Sequence, residues 1–184
     1  MTAQDDVRGA MLAAVPSLRA FAISLCGDVD RANDLVQETL LRAWSHLDSF
    51  EPGTNMSAWL FTILRNHFRT EYRKRRREVE DADGGYAERL TAREEQTAHI
   101  EFNELREGLM KLSADQREAL ILVGASGFSY EEATKICNCA VGTIKSRVNR
   151  ARLRLAETLG VENVQEIVNE PDTPMAASGG GRDD

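Results

Sequence analysis

Apolar residues recur at intervals of three and four along most of the chain, and that spacing predicts helices rather than strands. Val7, Met11, Ala14, Val15, Leu18, Ala22 and Leu25 form one stripe, with Gly27 as its stop. Asp28 offers an N-cap for a second helix reaching about Leu47, with Asp30 in its first turn. Leu35, Val36, Leu40, Ala43, Trp44 and Leu47 share one face of that helix. The stretch DSFEPGTNM breaks the period, and Asn55 or Ser57 can cap a third helix. Its inner stripe is Trp59, Leu60, Ile63, Leu64, Phe68 and Tyr72, which leaves Arg65, Arg69 and the cluster 73–77 projecting outward.

From Glu78 to Gln96 the chain turns acidic and polar around Gly84-Gly85, and this is the expected linker. It separates halves of roughly 75 and 70 residues, each able to form a small helical domain that is marginal alone. A helix over about 97–112 opens the second half through Ile100, Leu105, Leu109 and Leu112. Ser113 and Gln116 then have capping-box spacing, and that helix ends near Gly124. Ser129 and Glu132 repeat the spacing before a short helix that stops around Cys137 and Asn138, where Asn tolerates a left-handed turn. Residues 141–159 form a longer helix ending at Gly160. Beyond Asn169 the composition predicts disorder. The fold class is therefore all-α, with two small helical domains. The boundaries are 1–77, a linker at 78–96, 97–162 and a tail over 163–184.

Charge sharpens this picture. The chain carries a formal −7, yet residues 65–77 and 143–155 hold 12 of its 23 Lys and Arg. Two positive segments in an acidic body suggest two contacts with a polyanion. The chemistry of a catalytic or metal site is missing from the pattern. Cys26, Cys137 and Cys139 have no disulfide or zinc-knuckle spacing, and His46, His67 and His99 do not complete one. There is no Gly-rich phosphate loop and no nucleophile–base pair, so no enzyme, metal or cofactor is expected. No apolar run approaches the roughly 18 residues of a membrane span. The N-terminus lacks a signal layout, so a cytoplasmic location without membrane contact is expected.

A short capped helix, a tight turn and a longer basic helix make a helix-turn-helix, whose second helix enters the DNA major groove. Ile144, Val148, Ala151 and Leu155 would hold the basic helix to its domain. Lys145, Ser146, Arg147, Asn149, Arg150, Arg152 and Arg154 occupy the other faces, and such side chains read base edges or grip phosphates.

The stretch GFSYEEATKICNCAVGTIKSRVNRARLRL resembles region 4 of an extracytoplasmic-function (ECF) sigma factor of RNA polymerase. DRANDLVQETLLRAW resembles the polymerase-binding helix of sigma region 2, and FEPGTNMSAWLFTILRNHFRTEYRKRRREVED resembles the rest of that region. The resemblance covers about residues 8–160 and looks closest to the general-stress-response group. Asn138, where Gly is usual, and Thr134, where Ala is usual, are departures. The resemblance implies a promoter-specificity factor with core polymerase, promoter DNA and an anti-sigma factor as partners. Asp34, Leu35, Gln37 and Glu38 match the residues that dock on the β′ clamp helices, and region 4 is expected at the β flap. Asn55, Trp59 and Asn66 match positions near the −10 pocket, although Trp59 also fits the core. Arg73, Lys74, Arg75, Arg76 and Arg77 would grip nearby phosphates. Lys145, Ser146, Arg147, Asn149 and Arg150 match the face that reads the −35 element.

Two other readings use the same motifs. A sigma mimic that sequesters an anti-sigma factor would have little need of two intact basic segments. A stand-alone helix-turn-helix regulator would leave the first half of the chain unexplained.

Overall fold

The computed structural model describes residues 3–81 and 98–160. Among them are seven α-helices and no strand: α1 (Ala3–Cys26), α2 (Val29–Ser45), α3 (Met56–Asp81), α4 (Ala98–Met110), α5 (Ala114–Gly124), α6 (Tyr130–Cys137) and α7 (Val141–Leu159). The first three make one bundle and the last four another. The expected tail, and residues 82–96 of the expected linker, lie outside the described residues.

The helix ends follow their capping chemistry. The Asp28 carboxylate accepts from the Arg31 N–H at 2.8 Å and starts α2. Asn55 accepts from the Ala58 N–H at 3.2 Å and starts α3. Ser113–Gln116 and Ser129–Glu132 both close complete capping boxes. Asn138 adopts the left-handed conformation at φ 49°, ψ 56°, and ends α6 where a helix of L-residues must turn. α3 runs through the basic cluster to Asp81, past the expected boundary at 77. Arg, Lys and Glu are good helix formers, and no Gly or Pro intervenes before Gly84.

Packing corrects several expected faces. Phe21 and Phe61, outside the expected stripes, are fully buried and stack at 4.9 Å between ring centroids. Phe61 also meets Phe128 of the second bundle edge-on at 4.8 Å, so the apolar core is continuous across both bundles. Aromatic pairs of this kind add to the burial itself. Trp44, Tyr72 and Leu105, expected inside, are exposed. Leu155 is half-buried, and Ala156 takes the buried position at that end of α7. Gly108 lets α4 approach α7 closely, because a Cβ there would stand 2.7 Å from the Leu155 Cδ1.

The most consequential correction concerns Arg65, which is 6% exposed rather than projecting outward. It lies on the same face as Phe61, Leu64 and Phe68, and that face is covered by the second bundle. The window Asp6–Cys26 also corrects the expectation about apolar runs, since it is long and apolar enough to cross a membrane. Interspersed Ser, Arg and Pro hide that character from a search for uninterrupted runs. Here its Met11, Ala14, Leu18, Phe21, Ala22 and Leu25 are buried against the neighbouring helices.

The two bundles are also clamped at the C-terminus of α1, where a helix leaves carbonyls without partners. Arg117 of α5 donates to the carbonyls of Leu25 at 3.0 Å and Ser24 at 3.3 Å. Arg106 of α4 donates to the carbonyl of Gly27 at 2.6 Å. Cations placed there also complement the negative end of the helix dipole.

Candidate functional site

Three surfaces carry the residues singled out in the sequence. The first is the outer side of α2. Asp34 and Gln37 are exposed there, and Glu38 is half-buried. Arg42 donates to the Glu38 carboxylate at 2.8 Å, and that bond holds the carboxyl below its usual range. Leu35 is only 4% exposed, so it packs in the core and offers no docking surface of its own. Asp34 and Glu38 border a polar cleft of about 390 Å³ between α2 and α3, shared with Arg31, His67, Glu71 and Arg75. With Arg42, three arginines face three carboxylates across this cleft, so it suits a partner's polar side chains.

The second surface lies where α3 faces the loop after α2. A cleft of about 360 Å³ is bounded by Arg42, His46, Trp59, Ile63, Asn66 and Thr70. Trp59 is half-buried, with its ring 5.2 Å from that of Phe50. It thus belongs both to the core edge and to the cleft wall. Asn66 is exposed at the rim. A flat aromatic wall beside amide and hydroxyl groups suits an unstacked base, which has one π-face and a hydrogen-bonding edge. Asn55 is not part of this cleft. Its side-chain amide donates to Glu132 of α6 at 2.8 Å. Arg73, Lys74, Arg75, Arg76 and Arg77 continue along α3 and are all exposed.

The third surface is α7. Ile144, Val148 and Ala151 are buried and fix the helix to its bundle. Lys145, Asn149 and Arg150 are exposed, and the Lys145 ammonium sits 5.2 Å from the centre of the Tyr130 ring. The Ser146 hydroxyl is turned back onto the Thr143 carbonyl at 3.0 Å. Arg147 departs from the expected arrangement. Its guanidinium donates to Asp115 at 2.7 Å and to the Cys139 sulfur at 3.7 Å.

Asp115 and Glu118, one turn apart on α5, collect arginines from both bundles. Glu118 is fully buried and accepts from Arg65 Nε at 3.0 Å, Arg69 Nε at 2.9 Å and Arg69 Nη2 at 2.8 Å. Asp115 joins Arg69 on one side and Arg147 on the other. The paired bonds from Glu118, with Asp115 behind them, hold the Arg69 guanidinium charged more firmly than usual against its partial burial.

Asp115, Glu118 and the pairing role of Glu132 were missed in the sequence. One signal for Glu118 was available: it sits beside Ala119 and one turn before Leu122 on a face that must be buried, where a carboxylate requires a partner.

Residues 11–78 match the family model for Sigma-70 region 2, and residues 102–155 match that for Sigma-70, region 4. The chain is 65% identical over 180 residues to the ECF RNA polymerase sigma factor EcfG of Rhodopseudomonas palustris, covering 98% of this chain and 99% of that one. This chain belongs to the ECF sigma factor family. Among solved structures, the sigma factor RpoE of Bartonella quintana in complex with the anti-sigma factor NepR is similar, with a TM-score of 0.78 and 55% identity. That match covers 85% of this sigma factor and 98% of RpoE. CnrH in complex with the cytosolic domain of CnrY matches with a TM-score of 0.66 and 26% identity, covering 86% and 90% of the two chains. The three-helix bundle is thus the region 2 unit of this sigma factor, and the four-helix bundle its region 4 unit. Relatives of this kind are regulators of transcription rather than enzymes.

Proposed function

We propose that this sigma factor directs the RNA polymerase core enzyme to promoters and starts transcription there, serving general stress-response genes. The observation that carries the proposal is the solvent-facing Lys145, Asn149 and Arg150 on a helix whose opposite side is locked into region 4. In this reading residues 97–162 steer the enzyme by placing α7 in the major groove at the −35 element. Residues 1–77 dock on the β′ clamp helices through Asp34, Gln37 and Glu38. They also open the −10 element, with Trp59 and Asn66 receiving an extruded base. The exposed arginines of α3 hold adjacent phosphates and make binding fall steeply with salt. The stress-response assignment and the anti-sigma partner are supported by the likeness to EcfG and to RpoE, whose solved complex contains NepR.

Paired substitutions test the division of labour. Asp34→Ala with Glu38→Ala should weaken binding to core polymerase about ten-fold or more, since each lost charge-assisted contact is worth on the order of 1 kcal/mol. Lys145→Ala with Arg150→Ala should leave that binding intact and abolish −35-dependent transcription. Unchanged polymerase affinity in the first pair would remove α2 as the docking face. Lost polymerase binding in the second would remove α7 as the DNA reader.

A further inference from the structure

In the closed arrangement, region 4 carries two carboxylates into the space between the bundles. Both are bonded to arginines that point toward it. Asp115 stands between Arg69 of α3 and Arg147 of α7. Arg147 belongs to the helix assigned above to the −35 element, and Arg69 lies one turn after Arg65 on the helix assigned to the −10 element. Glu118 holds Arg65 and Arg69 from the buried side. A further bond links the bundles at Asn55, whose amide meets Glu132. A guanidinium paired with a carboxylate offers a phosphate fewer open donors, because carboxylate and phosphate use the same fork of N–H groups. An arginine on each of the two helices assigned to DNA is therefore satisfied within the protein.

We propose that Asp115 is an internal latch: it takes the place of a DNA phosphate between Arg69 and Arg147 and keeps the free sigma factor closed and poor at binding DNA. The inference rests on the assignment of α7 to DNA. Its energetics are graded by burial. The Glu118–Arg65 pair is buried on both sides, so it sets the register of the closed form. The Asp115 pairs are partly exposed, with 41% of the Asp115 side chain and 22% of Arg147 open to solvent. Exchange of this carboxylate for a phosphate is therefore inexpensive, as a releasable contact requires. Separation of the bundles frees Arg69, whereas Arg147 shares region 4 with Asp115 and is freed when a phosphate displaces that carboxylate. An apparent affinity is reduced by the fraction of molecules that are open, and weakening the latch raises that fraction.

The test uses the full chain and a fluorescein-labelled duplex of mixed sequence at low salt. Asp115→Asn keeps the shape and the helix start but removes the charge that bridges the two arginines. Glu131→Gln, an exposed acid on α6, removes one charge outside the contact and measures the general electrostatic gain. Arg150→Ala reports whether α7 contacts the duplex. The expected result is a gain in affinity for Asp115→Asn of at least about three-fold beyond that of Glu131→Gln, with Arg150→Ala weaker than the unaltered chain. Weaker binding by Arg150→Ala with no excess gain in Asp115→Asn would overturn the latch and leave the DNA assignment standing. Unchanged binding by Arg150→Ala would overturn the DNA assignment, and the latch with it.

Discussion

Glu132 shows how much one side chain does in this chain. It closes the capping box of α6 and receives the amide of Asn55 from the other bundle. The Ser129 backbone N–H lowers its pKa most, and Asn55, the Ser129 hydroxyl and Lys135 add to the effect against partial burial. A carboxyl held below its usual value stabilises the fold above the unfolded value of about pH 4.3. That contribution disappears as the pH falls through the lower, folded value. Denaturation of wild type and Glu132→Gln should therefore differ near neutral pH by less than about 1 kcal/mol and converge in acid. A constant difference across the range would assign Glu132 a packing role only. The thiols give a second residue-level expectation. Burial pushes Cys26 and Cys137 up to about 11, whereas Cys139 is half-buried. Iodoacetamide at mildly alkaline pH should modify Cys139 first, and the other two only after unfolding, as peptide mass mapping would show. The exposure of Lys145 and Arg150 could be read from the sequence, because it depends on charge and helical phase. Arg65 could not, because only the arrival of Glu118 from the other bundle makes burial of a guanidinium tolerable.

At the scale of elements, the caps explain why the sequence was so readable. Asp28, Asn55, Ser113 and Ser129 each satisfy orphan N–H groups locally, so helix starts do not depend on distant packing. Ser129→Ala should cost about 1 kcal/mol in urea denaturation, because the box at the start of α6 is complete. Asn138→Val should cost about 1–2 kcal/mol, since a β-branched residue resists the left-handed turn that leads into α7. Equal stability of the Val variant would mean that the turn relaxes without help from Asn. Faces were less legible than ends. Phe21 and Phe61 lie one position off the expected stripes, and Trp44 and Tyr72 on those stripes are exposed. A stripe a few residues wide leaves its flanks undecided until a partner helix arrives, and α3 meets partners on two sides.

For the whole molecule, the two units were legible but their closed packing was not. The contacts between them join residues 46 to 93 positions apart, and no local pattern announces such pairs. Glu118→Ala would leave Arg65 charged and buried, a loss of about 3–5 kcal/mol. Because Trp44 and Trp59 both lie in the first bundle, their fluorescence should then report a transition distinct from that seen by far-ultraviolet circular dichroism. Coincident transitions would mean that the apolar seam through Phe61 and Phe128 holds the units together without the ion pairs. In the proposed division of labour, region 2 engages polymerase and opens DNA while α7 chooses the site. Run-off transcription by core polymerase supplemented with this chain, on a library of promoters with mapped start sites, tests it most directly. Discrete transcripts sharing −35 and −10 elements, lost on replacing Lys145 and Arg150 although the chain still co-elutes with polymerase, are the predicted result. Polymerase that binds the chain yet initiates no discrete transcript on any promoter would contradict it.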